Sequence, residues 1–179
     1  HDFSGRESAV LILFGEEQSV PDLVFIQRAT TLKQHAGQPA FPGGALDEGE
    51  SAEQAALREA EEEIGLHAES IEIIGQLPRL FVPVSGYSVT PIVAWWHSPH
   101  EISAMDSQEV ARVERISVAE LVDPNNRVRI RHSSGFIGPA FLVRDMTIWG
   151  FTGGLLNGLL EILDYASEWD ESQIIDLGE

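Results

Sequence analysis

Between Gly44 and Leu66 the chain reads GALDEGESAEQAALREAEEEIGL, and no other stretch constrains the fold as tightly. A glycine-led loop runs into a helix start and then into a helix that carries four glutamates between Glu59 and Glu63. Ser51 followed by Gln54 fits a capping box. Residues 52–64 are Ala, Leu, Arg, Glu and Gln with one closing Ile, mostly strong helix formers, and Gly65 is a natural C-terminal stop. Leu57, Ala60 and Ile64 fall at helical spacing and form the core stripe. Glu59, Glu62 and Glu63 lie at i, i+3 and i+4 on a different face. An acidic run is most often a solvated helix face. Here, carboxylates at this spacing repel by about 0.2–0.5 kcal/mol per pair, and a divalent cation would reverse the sign. Hard ions such as Mg²⁺ take carboxylate oxygens together with water and substrate phosphates. The glycine loop offers a backbone carbonyl beside the same position.

The chain has 179 residues, which suits one domain with a full core. We expect a single domain over 1–179, with its core over about 9–166 and an acidic tail over 167–179. Formal net charge is −18 with only 11 Lys and Arg, so general nucleic-acid binding is not expected. Cysteine is absent, which excludes disulfides and thiolate catalysis. No apolar run reaches the length of a membrane span. The expectation is a cytoplasmic protein.

Apolar Ala9–Phe14 (AVLILF) predicts a buried strand, and Leu23–Gln27 its hairpin partner, with a turn at Glu16–Gln18. Strands are further expected over Ile71–Leu77, Tyr87–Trp96, Glu109–Ile116, Arg127–Arg131 and Phe136–Leu142. Pro91 suggests an edge or a bulge. Ser117 with Glu120 starts a short helix that Asp123-Pro124 stops. An apolar helix is expected over Leu155–Tyr165, and the tail is expected to fray unless Trp169, Ile174 and Ile175 dock. The alternating Arg127, Arg129 and Arg131 read as a solvated sheet face or a salt-bridge ladder. Helices distant in sequence around a mixed sheet suggest an α/β/α sandwich.

Gly44, Glu50, Arg58, Glu59, Glu62, Glu63, Gly65 and Leu66 together match G-x5-E-x7-R-E-U-x-E-E-x-G-U, with U bulky and apolar. This resembles the box of the Nudix hydrolases; Ala60, at the first U position, is smaller than usual. The resemblance implies an α/β fold, a Nudix-type α/β/α sandwich with a mixed β-sheet, and hydrolysis of a nucleoside diphosphate linked to another group. Upstream, RATTLKQHAGQPAFPGG (Arg28–Gly44) is similar to the additional motif of the coenzyme A pyrophosphatases. Arg28, Leu32, His35, Gly37 and Phe41–Gly44 match it, while Ile26, Ala29 and Pro39 depart from it. Ser85–Val93, Asp106–Ala111, Gly138–Phe141 and Ile148–Thr152 extend the likeness.

The resemblance implies cleavage of CoA or acyl-CoA, a small-molecule substrate, to adenosine 3′,5′-bisphosphate and 4′-phosphopantetheine, with Mg²⁺ or Mn²⁺ as cofactor and a homodimer as the assembly; the alternatives are a Nudix pyrophosphatase of another nucleotide (ADP-ribose, NADH or a (d)NTP) and a catalytically silent Nudix-fold ligand sensor. It implies Glu59, Glu63 and then Glu62 as metal ligands, joined by the Gly44 carbonyl. Arg58 orients Glu50 or a box glutamate. The general base is a box glutamate, Glu59 or Glu62, or one from a distant loop, for which Glu109 is the candidate, with solvation of a strand start the alternative for Glu109. Arg28, Lys33 and His35 are candidates for the substrate phosphates, with loop packing the alternative for His35. Trp149 is a candidate for stacking on the substrate, with core packing the alternative.

Overall fold

The computed structural model describes residues 5–33 and 35–178. Its first two strands, β1 (Arg6–Glu17) and β2 (Val20–Arg28), form the expected hairpin. Both run further than the apolar segments that announce them. The turn is the two-residue Gln18–Ser19, with φ of 51° and 65°, the geometry whose twist matches an antiparallel pair. Two short strands, β3 (Pro39–Ala40) and β4 (Gly43–Ala45), precede helix α1 (Ala52–Ile64). Then come β5 (Ile71–Gln76), β6 (Leu80–Val82), β7 (Tyr87–Trp96) and β8 (Val110–Ser117). Helix α2 (Val118–Val122) leads to β9 (Arg127–Arg131), β10 (Ile137–Val143) and β11 (Met146–Ile148). Helix α3 (Gly150–Ile162) and β12 (Ile174–Asp176) complete the described chain.

The fold is mixed α/β, built on two mixed sheets. The larger has the order β3-β2-β1-β7-β5, with β4 on β1, β6 on β7 and β8 on β2. The smaller runs β11-β10-β9-β12. Alternate residues of β1 and β2 serve opposite faces, as the period of a strand requires. Leu11, Leu13, Val24 and Ile26 pack under α1. Ile12, Leu23 and Phe25 pack instead against α2, α3 and the smaller sheet. The layers are therefore α1, the large sheet, and a second cover made of α3 and the small sheet. Among the described residues no helix is long and apolar enough to cross a membrane.

The site is positioned by a divergence between β1 and β2. They pair from Glu17↔Val20 back to Phe14↔Leu23, and beyond that β1 takes β4 as its partner at Val10↔Gly43 and Ala9↔Gly44. The segment 38–45 fills the opening, held by the Leu11 N–H donating to the Pro42 carbonyl at 2.7 Å.

Four expectations need correction. Pro91 stands in β7, an interior strand between β1 and β5 and not an edge, and the register shift of the β5–β7 pair lies at Ile73/Gly75, opposite Ala94 and Val93 rather than at Pro91. It is tolerated because its partner chain leaves there: the Leu77 N–H donates to the Pro91 carbonyl at 2.9 Å, and the next partner, β6, starts at Leu80. No ladder bond from a Pro91 N–H is needed. Helix α3 begins at Gly150, five residues before the apolar stretch; Gly153 permits this because a Cβ there would meet the Pro139 and Ile148 carbonyls at 2.9 and 3.0 Å. The tail docks through β12, which pairs in parallel with β9. Arg127 is not solvated: it is 1 % exposed.

Candidate active site

Helix α1 forms as its sequence requires. The Ser51 hydroxyl accepts from the Gln54 N–H, the Gln54 side chain accepts from the Ser51 N–H, and Gly65 closes the helix at φ 71°. Ala55, Ala56, Ala60 and Ile64 are buried against the sheet, with Leu57 partly buried beside them. Burial then separates the glutamates. Glu63 is 5 % exposed, whereas the Glu62 side chain is 57 % exposed. Glu61 is exposed as well.

Glu63 Oε1 accepts the Gly43 N–H at 2.8 Å. Burial pushes its carboxyl up to about 8, helped by the negative charges of Glu59 and Glu109 and opposed by the Gly43 hydrogen bond and Arg28. Glu59 lies against Gly44, where a Cβ would meet its Cδ at 2.5 Å; only a glycine lets this carboxylate reach the turn. Burial raises the Glu59 pKa too. Arg58 lowers it, and Glu62 and Glu109 add to the rise. Among the described residues no three acidic or histidine groups already stand at ligating distances. The donors nevertheless fit a hard divalent cation: they are carboxylate oxygens, partly desolvated, and set so that their own charges oppose ionisation.

Arg58 braces this face. Its Nε and Nη2 donate to the two Glu50 oxygens at 2.8 and 2.9 Å, and Nη2 also reaches the Ala45 carbonyl at 3.0 Å. Its Nη1 donates to Glu59 Oε1 at 2.9 Å and lies 3.4 Å from Glu62. The bidentate pair holds the Glu50 carboxyl down at about 2 and raises Arg58 above the usual guanidinium range. One side chain thus ties the loop 45–50 to two glutamates of the helix.

The negative charge of Glu109, exposed just before β8, adds to the rise at both Glu59 and Glu63. Its carbonyl accepts the Ala29 N–H at 2.9 Å, which joins it to the loop that follows β2. The segment leading to it is pinned on α1: Ser103 and Met105 N–H groups donate to the Ile64 and Glu63 carbonyls at 3.2 and 3.1 Å. These carbonyls would otherwise be left open at the helix end.

Beside the carboxylates lies a cavity of about 370 Å³, at the lower end of the range for small-molecule pockets. Gly43, Gly44 and Ala45 are its wall on the carboxylate side. Arg28, His35 and Trp149 line it, as do Tyr87, Phe151 and Gln38. The Arg28 Nε is buried without a partner among the described residues. His35 has φ 53°, and its Nδ1 lies 3.1 Å from Gln38 Oε1. Trp149 stacks on His132 with ring centres 5.5 Å apart. Lys33 is exposed and is not among the residues lining the cavity. Tyr87 and Phe151 escaped the sequence reading as site residues. Their one signal was membership of the SGYSVTPIV and IWGFT stretches, where an aromatic is as readily core.

A family model described as NUDIX domain matches residues 5–134. The "Uncharacterized Nudix hydrolase NudL" of Escherichia coli K12 is 35 % identical over 162 residues, covering 86 % of this chain and 81 % of that protein. NudL of Klebsiella pneumoniae strain 342 is 33 % identical over 169 residues, covering 89 % and 83 %. In fold, the chain is similar to a Nudix hydrolase from M. smegmatis, RenU, with a TM-score of 0.65, 19 % identity and coverage of 93 % and 90 %. It is also similar to the NUDIX domain of Shewanella oneidensis NrtR complexed with ADP ribose, with a TM-score of 0.53, 21 % identity and coverage of 65 % and 75 %. The family match spans the hairpin, the glycine turn, the glutamate helix and Glu109 together, and the chain belongs to the NUDIX family.

Proposed function

We propose that this protein is a divalent-metal-dependent hydrolase of the pyrophosphate of CoA or acyl-CoA, releasing adenosine 3′,5′-bisphosphate and (acyl-)4′-phosphopantetheine. The observation that carries it is the shared glycine turn. One side of the turn holds Glu63 and Glu59; the other walls a cavity containing Arg28 and His35. A pyrophosphate lying at the turn has carboxylate chemistry on one side and cationic or polar groups for its flanking phosphates on the other. The additional motif from Arg28 to Gly44 supports CoA over other nucleotides.

Glu59 and Glu63, with Glu62 at the rim and the Gly44 carbonyl, are the residues to hold Mg²⁺ or Mn²⁺. When bound, such a cation supplies charge neutralisation at the phosphate oxygens and lowers the pKa of bound water. Arg58 keeps Glu59 oriented while Glu50 anchors Arg58. Glu109 takes the proton of the attacking water as the new P–O bond forms and the bridging P–O–P bond breaks, with the electron pair leaving on the second phosphate. Arg28, whose Nε has no partner among the described residues, meets a substrate phosphate, and the planar guanidinium suits that contact. His35 adds a second polar contact, and Trp149 with Phe151 and Tyr87 forms the apolar wall.

The test is product identification after incubation with CoA, NADH, ADP-ribose and dNTPs, each with Mg²⁺ or Mn²⁺ and with EDTA. Release of adenosine 3′,5′-bisphosphate at the highest rate from CoA species, abolished by EDTA, is expected. A higher rate on ADP-ribose or NADH would move the assignment to another nucleoside diphosphate derivative. Turnover of none would leave a NUDIX-fold ligand-binding protein.

A further inference from the structure

The residues after α3 take no part in this chemistry, yet they are tied to the helix that walls the cavity. The Arg127 guanidinium lies 4.4 Å from the ring centre of Trp169 and 4.1 Å from that of Phe141. Its Nη2 donates to Asn157 on α3. Burial draws the Arg127 pKa down to about 10, opposed by Glu161 and Glu171, so the side chain is a cation at neutral pH. Beyond Trp169 the chain runs alongside β9, with Ile174 opposite Arg129 and Asp176 opposite Arg131. The Arg129 N–H donates to the Gln173 carbonyl at 2.9 Å, the Leu177 N–H to the Arg131 carbonyl at 3.0 Å, and Arg131 pairs with Asp176 at 3.1 Å.

Strand β9 therefore grips α3 twice. At one end Arg127 holds Asn157, and just past the other end His132 stacks on Trp149, the residue that caps α3. Trp149 to Thr152, at the start of that helix, line the cavity. This first turn has little intrinsic reason to stay in place. Trp149 supplies no side-chain cap, and Gly150, Gly153 and Gly154 are poor helix formers. Its position rests on tertiary contacts.

We propose that the C-terminal strap, Trp169 to Leu177, is a positioning element of the substrate cavity, acting through Arg127 to hold α3 and its cavity-lining first turn in place. Without the Trp169 ring, water competes for the Arg127 guanidinium and the bond to Asn157 loses its shelter. The glutamates lie on the far side of the glycine turn and are untouched. The strap therefore acts on substrate affinity rather than on the chemical step. This rests on the assignment of the cavity to the substrate.

The experiment compares Trp169→Ala and Trp169→Phe in the full chain, reading amide hydrogen exchange at residues 150–153 together with KM and kcat for CoA. Trp169→Ala should speed exchange at 150–153 while β7 stays protected. It should also raise KM about tenfold, as expected for loss of a sheltered cation–π contact, with kcat within about twofold. Trp169→Phe should restore both. Unchanged exchange at 150–153, faster exchange with unchanged KM, or a fall confined to kcat overturns the proposal. If CoA is not hydrolysed, the functional assignment fails by itself. The exchange arm still stands, and KM is then taken on the nucleotide that is turned over, or Kd on ADP-ribose if none is. Should Trp169→Ala not fold, Arg127→Lys is read in the same way and should shift both quantities in the same direction.

Discussion

The backbone N–H of Gly43 donates to Oε1 of Glu63 at 2.8 Å, joining the turn that walls the cavity to the most buried carboxylate of the helix. One hydrogen bond does not offset the loss of water around an ionised carboxylate. Glu63 is accordingly pushed up to about 8.

In metal-free protein this has a definite sign. From its ordinary value of 4.5 up to about 8, the folded state holds a proton that the unfolded state has released, so stability falls as pH rises through this window and levels off above it. Glu63→Gln removes the titration and keeps an acceptor for Gly43. In EDTA the variant should melt close to wild type at pH 5 and several degrees higher at pH 8, reflecting a difference on the order of a few kcal/mol. Its hydrolysis with Mg²⁺ should fall at least about a thousandfold, the cost of removing a principal charge from the site. Differential scanning fluorimetry across pH and a turnover assay check the two halves separately.

Divalent cations should stabilise the folded protein. Adding Mg²⁺ or Mn²⁺ to EDTA-treated protein is expected to raise the melting temperature with saturation, since a ligand of the native state stabilises it by mass action. The rise should shrink in Glu59→Gln. An equal rise in Glu59→Gln and wild type would remove Glu59 from the metal set.

Gly44→Ala should separate function from stability. The added methyl meets the end of the Glu59 side chain, which can swing away at little cost. Turnover should drop about a hundredfold, because the carboxylate leaves its place, while the melting temperature changes by little. Gly43→Ala should behave in the opposite sense. Its methyl would run into the Ala9 carbonyl and the Val10 backbone, so expression and melting temperature are the quantities that fall.

Arg58→Lys keeps the charge and loses the fork that holds both Glu50 oxygens and the Ala45 carbonyl. We expect kcat to fall about tenfold or more and the loop 45–50 to become more open to limited proteolysis. Rates and cleavage pattern indistinguishable from wild type would show that Arg58 does not position the box.

Glu109→Gln is expected to reduce kcat about a hundredfold, the scale of general-base catalysis, with KM nearly unchanged. A kcat within a few-fold of wild type would return the base to Glu59 or Glu62.

Much of this was readable in the chain because it is local. The α1 cap, body and stop depend on residues three or four apart, and Ser51, Gln54 and Gly65 declare them. The β1–β2 hairpin and the β7 strand follow from apolar runs bounded by turns. Helical spacing put Glu59, Glu62 and Glu63 on one face, and the likeness to the Nudix box marked them together with Arg58 and Glu50.

What the sequence could not rank was decided by contacts between distant segments. Glu62 and Glu63 are neighbours of the same type, yet only Glu63 is covered by the glycine turn twenty positions earlier. Arg127 sits in an alternation that reads as a solvated face, and is buried because Phe141, Asn157 and Trp169 converge on it. Helix α3 starts in a glycine-rich segment with weak local preference, and packing on β10 and β11 extends it to Gly150. Hydrogen-bond spacing and hydrophobic period are properties of a short segment, so the sequence determined the helix, the hairpin and the carboxylate set. Desolvation and partner choice are properties of the assembled layers, so only the tertiary structure decided which carboxylate is buried, where the cavity lies and what the tail holds in place.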